Sequence, residues 1–153
     1  MTALDAAGLH AAVIDHAAAL GLFDRVAGHE PSNAPGRGLS CAVWVDDLRP
    51  IPRRSGLATT SARLAFLARV FRPLPAVVDG DRVDPEILAA ASALIGSLIG
   101  DLDLGASVEV DVFGAHGLPL VAKPGYLTQD AAVYRVIDVT VPLIVDDLWP
   151  QAR

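Results

Sequence analysis

Four histidines, one cysteine, one lysine and two aspartate pairs are the side chains of this 153-residue chain whose types suit catalysis or metal binding. His10 and His16 stand six positions apart in a segment of helical period, which turns them to different faces. A shared metal would want a spacing near i, i+4. His29 and Glu30 adjoin in a loop, and sequence neighbours rarely converge on one ligand, so they read as residues that close the first helix. Asp46-Asp47 and Asp146-Asp147 have the chemistry of an acid–base pair. Each pair, however, falls where a strand is expected to end, and solvated turn carboxylates account for both. Cys41 alternates with Val43 and Val45, the position of a core thiol. No serine can be given a histidine partner and no G-x-S-x-G occurs, while "GLPLVAKPG" lacks the glycine spacing of a phosphate-cradling loop. Lys123 beside its Pro-Gly turn reads as an exposed loop residue. The sequence therefore predicts no catalytic set, no cofactor and no metal.

What remains is charge and apolar surface. Arg49, Arg53 and Arg54 form the one basic cluster, read as a solvated loop or a contact for an acidic neighbour. Acidic residues number 18 against 12 basic, and the net charge of −6 argues against binding nucleic acid by charge. Apolar residues make up 52% of the chain, enough for one domain, residues 1–153, with a real core. A single cysteine excludes an internal disulfide. The start "MTALDAAGLH" lacks the basic residues of a signal peptide, so synthesis in a cytoplasm is expected. The run "ILAAASALIGSLIG" is shorter than the roughly 18 residues that cross a bilayer.

The elements that must position these residues follow from periodicity. Thr2 and Asp5 predict a weak capping box, with a stripe of Leu9, Val13, Ala17 and Leu20 behind it and Gly28 closing the helix. Residues 28–38 predict a loop from their glycines and prolines. Residues 39–46 alternate as a strand, 47–58 read as a long hairpin connection, and 59–72, whose propensity also allows a helix, read as a second strand because they follow that link and end at Pro73. Asp84 and Pro85 open the clearest helix and Gly100 stops it, with Ile87, Ala91, Leu94, Ile95 and Leu98 on its buried stripe. Residues 106–114 alternate with Val108, Val110 and Val112 inward and Ser107, Glu109 and Asp111 outward. A Gly-Pro-rich stretch, 114–131, holds at most a short strand near 118–122. "VYRVIDVTVPLIVDDLW" (133–149) is a long half-buried strand, and Pro142, which cannot donate to a ladder, places it at a sheet edge or ends its pairing there. The expectation is an α+β fold, order α-β-β-α-β-β, with two helices on one face of a mainly antiparallel four- to five-stranded sheet. Exposed edges invite pairing with another chain.

The segments "HEPSNAPGRGLSCAVWVDDLRPI", "SGLATTSARLAFLARVFRPL", "VDPEIL…GDLDLG" and "GYLTQDAAVYRVIDVTVPLIVDDLW", in this order, resemble tail terminator proteins of long-tailed bacteriophages. The resemblance spans roughly residues 25–149, in patterns of strand, loop and helix rather than an invariant signature; the first helix matches only in kind. It implies a virion subunit, made in the host cytoplasm, that forms a hexameric ring on the head-proximal end of the tail tube. Its partners would be other copies of itself, the tail tube protein and the head–tail connector, with DNA only passing through the bore, no sequence-specific nucleic acid binding and no membrane. Related folds serve as tube and connector proteins in phages and phage-derived particles, the alternative reading. A tube protein would be expected to carry a more extended hairpin than the 47–58 link. A small enzyme or ligand-binding domain, or a dimerising accessory protein, are the competing classes.

On this reading the bore should repel phosphate, and outward Glu109 and Asp111 are candidates to line it. Arg49, Arg53 and Arg54 should meet a protein neighbour along the tail axis. Asp146, Asp147 and Trp149 form a candidate acidic surface between subunits.

Overall fold

Residues 3–32, 37–52, 55–74, 80–105 and 107–152 are described by the computed structural model. Asp5 caps the first helix, α1 (Ala6–Ala19), its carboxylate accepting from the Gly8 N–H at 3.0 Å. The helix stops well before Gly28: Gly21, at φ +67°, adopts the left-handed turn that releases the chain, and Gly28 lies beyond β1 (Arg25–Ala27). Then come β2 (Ser40–Ile51), β3 (Thr59–Pro73), a 3-10 turn at Gly80–Arg82, α2 (Val83–Gly100), β4 (Val108–Val110), β5 (Val121–Gln129) and β6 (Ala132–Pro150).

The α+β class holds, but the order is α-β-β-β-α-β-β-β and the sheet has six strands, β1-β2-β3-β6-β4 with β5 also on β6. Among the described residues only the β1–β2 pair is parallel. Three sequence expectations are corrected here. Residues 47–51 continue β2 rather than forming a connection, with a bulge between Val45 and Asp47 that displaces Asp46. The stretch 114–131, taken as mostly loop, contains β5, which pairs with β6 from Val121 to Gln129 despite Pro124 and Gly125. The 106–114 strand shrinks to Val108–Val110.

The largest correction concerns β6. It lies inside the sheet, with β3 along one side and β5 and then β4 along the other. Pro142 is tolerated because its partner changes there: β5 pairing ends at Thr140 and β4 pairing begins at Leu143. In a strand a residue's N–H and C=O point to the same side, so the N–H that proline lacks falls in the gap between β5 and β4. Its carbonyl is used, accepting from the Asp111 N–H at 2.9 Å.

Both helices lie on one sheet face. Leu9, Val13 and Ala17 of α1 and Ile87, Ala91, Leu94 and Leu98 of α2 pack with Cys41, Val43, Leu64, Phe66, Val70, Val139, Val141 and Leu143. α2 has the length and apolarity of a membrane-crossing helix, but this face of it is a core contact. His10 fastens α1 to the sheet: its Nε2 donates to the Val43 carbonyl at 2.8 Å and its ring stacks on Phe66 at 5.4 Å. A carbonyl can only accept, so this bond fixes the proton on Nε2.

Candidate functional site

Cys41 is buried in the core, and desolvation pushes its thiol up to about 12, leaving it protonated and unreactive at neutral pH. His29 and Glu30 are both exposed. Among the described residues no group of three or more His, Cys, Asp or Glu is placed to hold a metal. Lys123 is exposed as expected, but on a strand, opposite Asp138, rather than in a loop.

The sequence's interface candidates gather at one end of the sheet. Arg49 is on β2 and its Nε lies 2.5 Å from Asp47 Oδ2. Arg53 and Arg54 lie outside the described residues. Asp147, expected to end a strand, instead makes a bulge in β6 at φ +51°. Its carboxylate accepts from Thr59 Oγ1 at 2.7 Å and its N–H donates to Ser61 Oγ at 3.1 Å. Asp146 is half-buried next to it, and Trp149 packs against the core. Gln151 ties this end to the β2–β3 connection, its N–H donating to the Ala58 carbonyl at 2.8 Å and its Nε2 to the Gly56 carbonyl at 2.7 Å. Leu57, in that connection, is 99% exposed.

The two bore candidates separate. Glu109 is exposed on β4. Asp111 is not outward: it is buried in the turn after β4, its Oδ2 3.6 Å from Nε of Arg63, so it cannot line a channel. The reason is a buried cation that must be matched. Arg63 stands on the sheet face away from the helices, and its Nη2 also donates to the Leu118 carbonyl. Asp111 in turn accepts from the backbone N–H groups of Ala115 (2.9 Å) and His116 (3.1 Å). The pair thus holds the 111–118 loop against the sheet. Sequence reasoning missed it, although one arginine inside the apolar run "SARLAFLARVF" was a signal, because a buried charge needs a partner.

Three more ion pairs lock strands and helix together. Arg69 grips Asp138 with two bonds of 2.6 and 2.9 Å on the helix-free face, its guanidinium 5.3 Å from the Trp44 ring. That hydrogen bond holds Arg69 charged above its usual range. The first turn of α2 carries Asp84 and Glu86, which reach Arg135 of β6 (2.8 Å) and Arg72 of β3. Two carboxylates at a helix N-terminus also favour the helix dipole. Arg135 further lies 4.4 Å over the Tyr126 ring. The Arg135 hydrogen bond holds the Asp84 carboxyl below its usual range.

Exposed apolar surface is the other feature. Phe113 (94%) and Leu118 (56%) stand out of the braced loop, and Leu88 (61%) and Ile99 (54%) out of α2. Beside Leu88 is a groove of about 150 Å³ lined by Asp84, Ile87, Leu88, Ala122, Pro124, Arg135 and Ile137.

No family model matches this chain, and no curated protein matches it either. Among solved structures it is similar to a chain of the virion of a native gene transfer agent particle, at 21% identity and TM-score 0.52. The match covers 94% of this chain and 99% of that one. The likeness is one of fold. It runs through nearly the whole of both chains.

Proposed function

We propose that this chain is a structural subunit of a tailed phage or a phage-derived particle, and within it a tail terminator. The carrying observation is the near end-to-end fold likeness to a chain of a gene transfer agent virion. The buried Arg63–Asp111 pair serves as a brace rather than a reagent, which fits a structural subunit. In this reading copies associate head-to-tail through two different surfaces, the geometry that closes into a ring. The ring, hexameric by the resemblance, sits on the head-proximal end of the tail tube, stops its growth and meets the head–tail connector. Each contact buries about 1,000 Å² or more. Glu109 remains a candidate for the bore, while Arg49 with the Asp146, Asp147 and Trp149 end of β6 remains a candidate contact surface.

A tube-like or connector role in the same kind of particle is the second reading, and one observation favours it. β2 and β3 stay paired to Ile51 and Ser61, so the hairpin is longer than the 47–58 link implied, and an extended hairpin suits a stacking tube subunit. Electron microscopy separates the two. Added to a growing tail tube, a terminator yields tubes of limited length with one capped end. A tube subunit polymerises by itself. Neither result, with only monomers or two-fold dimers at any concentration, sinks both.

A further inference from the structure

The loop between β4 and β5 holds one aromatic ring out in water. Phe113 is 94% exposed, yet its neighbours are fixed. The Leu120 N–H donates to the Val112 carbonyl at 3.1 Å and the Gly114 N–H to that of Asp111 at 3.3 Å. Gly114 sits at φ +73°, and a Cβ there would come within 2.5 Å of the Gly117 carbonyl oxygen. Beneath, the buried Arg63–Asp111 pair ties Leu118, Ala115 and His116 to the sheet. The pair that matches the buried Arg63 also leaves this loop ordered before any partner arrives. An apolar anchor on the loop gains from this, because an ordered anchor loses less entropy on binding.

The same chain carries a seat of matching size. The groove between α2 and β5 is lined by Ile87, Leu88, Ala122, Pro124 and Ile137, together with the Asp84–Arg135 pair. At about 150 Å³ it is below the roughly 300–1,000 Å³ of a small-molecule site, but an apolar cavity of about 150 Å³ takes one benzene ring. The walls belong to the helix-bearing face of the sheet, whereas Arg63, under the Phe113 loop, belongs to the other. Anchor and seat therefore lie on opposite faces, and one molecule cannot fill its own seat. We propose that Phe113 of one copy inserts into the α2–β5 groove of a second copy, as one of the subunit contacts; this rests on the assembly reading above. Anchor on one face and seat on the other let the contact repeat from copy to copy.

Two exposed substitutions test it, and exposure makes both compatible with folding, which far-ultraviolet circular dichroism checks. Phe113→Ala removes the anchor and Leu88→Gln makes the seat polar. Sedimentation velocity up to millimolar protein should show the unsubstituted chain passing beyond a dimer. Each variant should associate at least tenfold more weakly. A one-to-one mixture should regain association, because it joins an intact seat to an intact anchor, but should stop at the heterodimer. Variants that assemble like the parent overturn the inference and leave the assembly reading standing. A mixture that stays as weak as its components overturns it too. A parent that stops at a dimer, dissolved by either substitution, supports the seat and overturns the ring. A parent that remains monomeric throughout overturns both.

Discussion

Among the described residues Arg63 is one of the largest fully buried side chains, a cation in a sheet whose buried positions are mostly apolar. Such a group is tolerated only with its partner. We expect Asp111→Ala to lower the unfolding free energy by about 3–5 kcal/mol, since it strands a buried charge. Adding Arg63→Met to it should recover part of that loss, because a neutral apolar pair needs no match. Urea melts of the three variants measure this, and a double variant less stable than Asp111→Ala contradicts it. Cys41 makes the opposite case, a group kept neutral by burial. Its folded value near 12 exceeds the reference 9.0, so the native state holds the proton longer than the unfolded chain. The resulting contribution is complete below pH 9.0 and is lost as pH rises from there toward 12. A thiol reagent at pH 8 should label Cys41 only in denaturant; rapid labelling of folded protein would count against the burial.

At the scale of elements, α2 combines a packed inner face with an outer one that carries little charge. After Glu86 it holds no ionisable residue up to Gly100. Gly96 is exposed, and a Cβ there meets nothing within 4 Å. Gly96→Ala should therefore raise the stability of the monomer by about 0.5–1 kcal/mol through helix propensity alone, read by chemical denaturation. If the substitution also weakens self-association, a second chain covers that face. The start of α2 is fastened electrostatically by Asp84 to Arg135. The Asp84 carboxyl is held below its usual 3.8, so this contribution is present above that value and fades as pH falls through the lower, folded one. Acid titration of the parent against Asp84→Asn should show the parent losing its advantage only below pH 3.8.

For the whole molecule, the question is which surfaces meet neighbours. The fold offers at least two: the end where Arg49, Asp147 and Trp149 gather, and the anchor-and-seat pair of Phe113 and the α2 groove. A head-to-tail assembly needs two different contacts on each copy. Light scattering across a concentration series should show a closed species whose mass stops rising, whereas an open filament would keep growing. Exposed ion pairs such as Arg49–Asp47 are screened by salt, while an aromatic anchor is not. Assembly governed by Phe113 should therefore survive 0.5 M salt; if it dissolves there, the contacts are chiefly ionic.

Periodicity alone determined a good deal. It identified α2, though with Asp84 as its cap where the helix already begins at Val83, the alternating strands in 39–46 and 133–149, the α+β class and the burial of Cys41. These were legible because a repeat of two or 3.6 residues reports which face of a segment avoids water. The tertiary structure alone decided which strands are neighbours. Pro142 marked a sheet edge or an end of pairing: β6 is interior, yet on one flank the β5 pairing does end just before that residue, where β4 takes over. β5 itself was hidden by Pro124 and Gly125, whose low strand propensity is overridden by a full ladder to β6. Asp111 alternated like a solvent-facing residue, but Arg63, 48 positions earlier, draws it inward. Pairing across such separations depends on partners brought together by the fold, and no local pattern of residues records them.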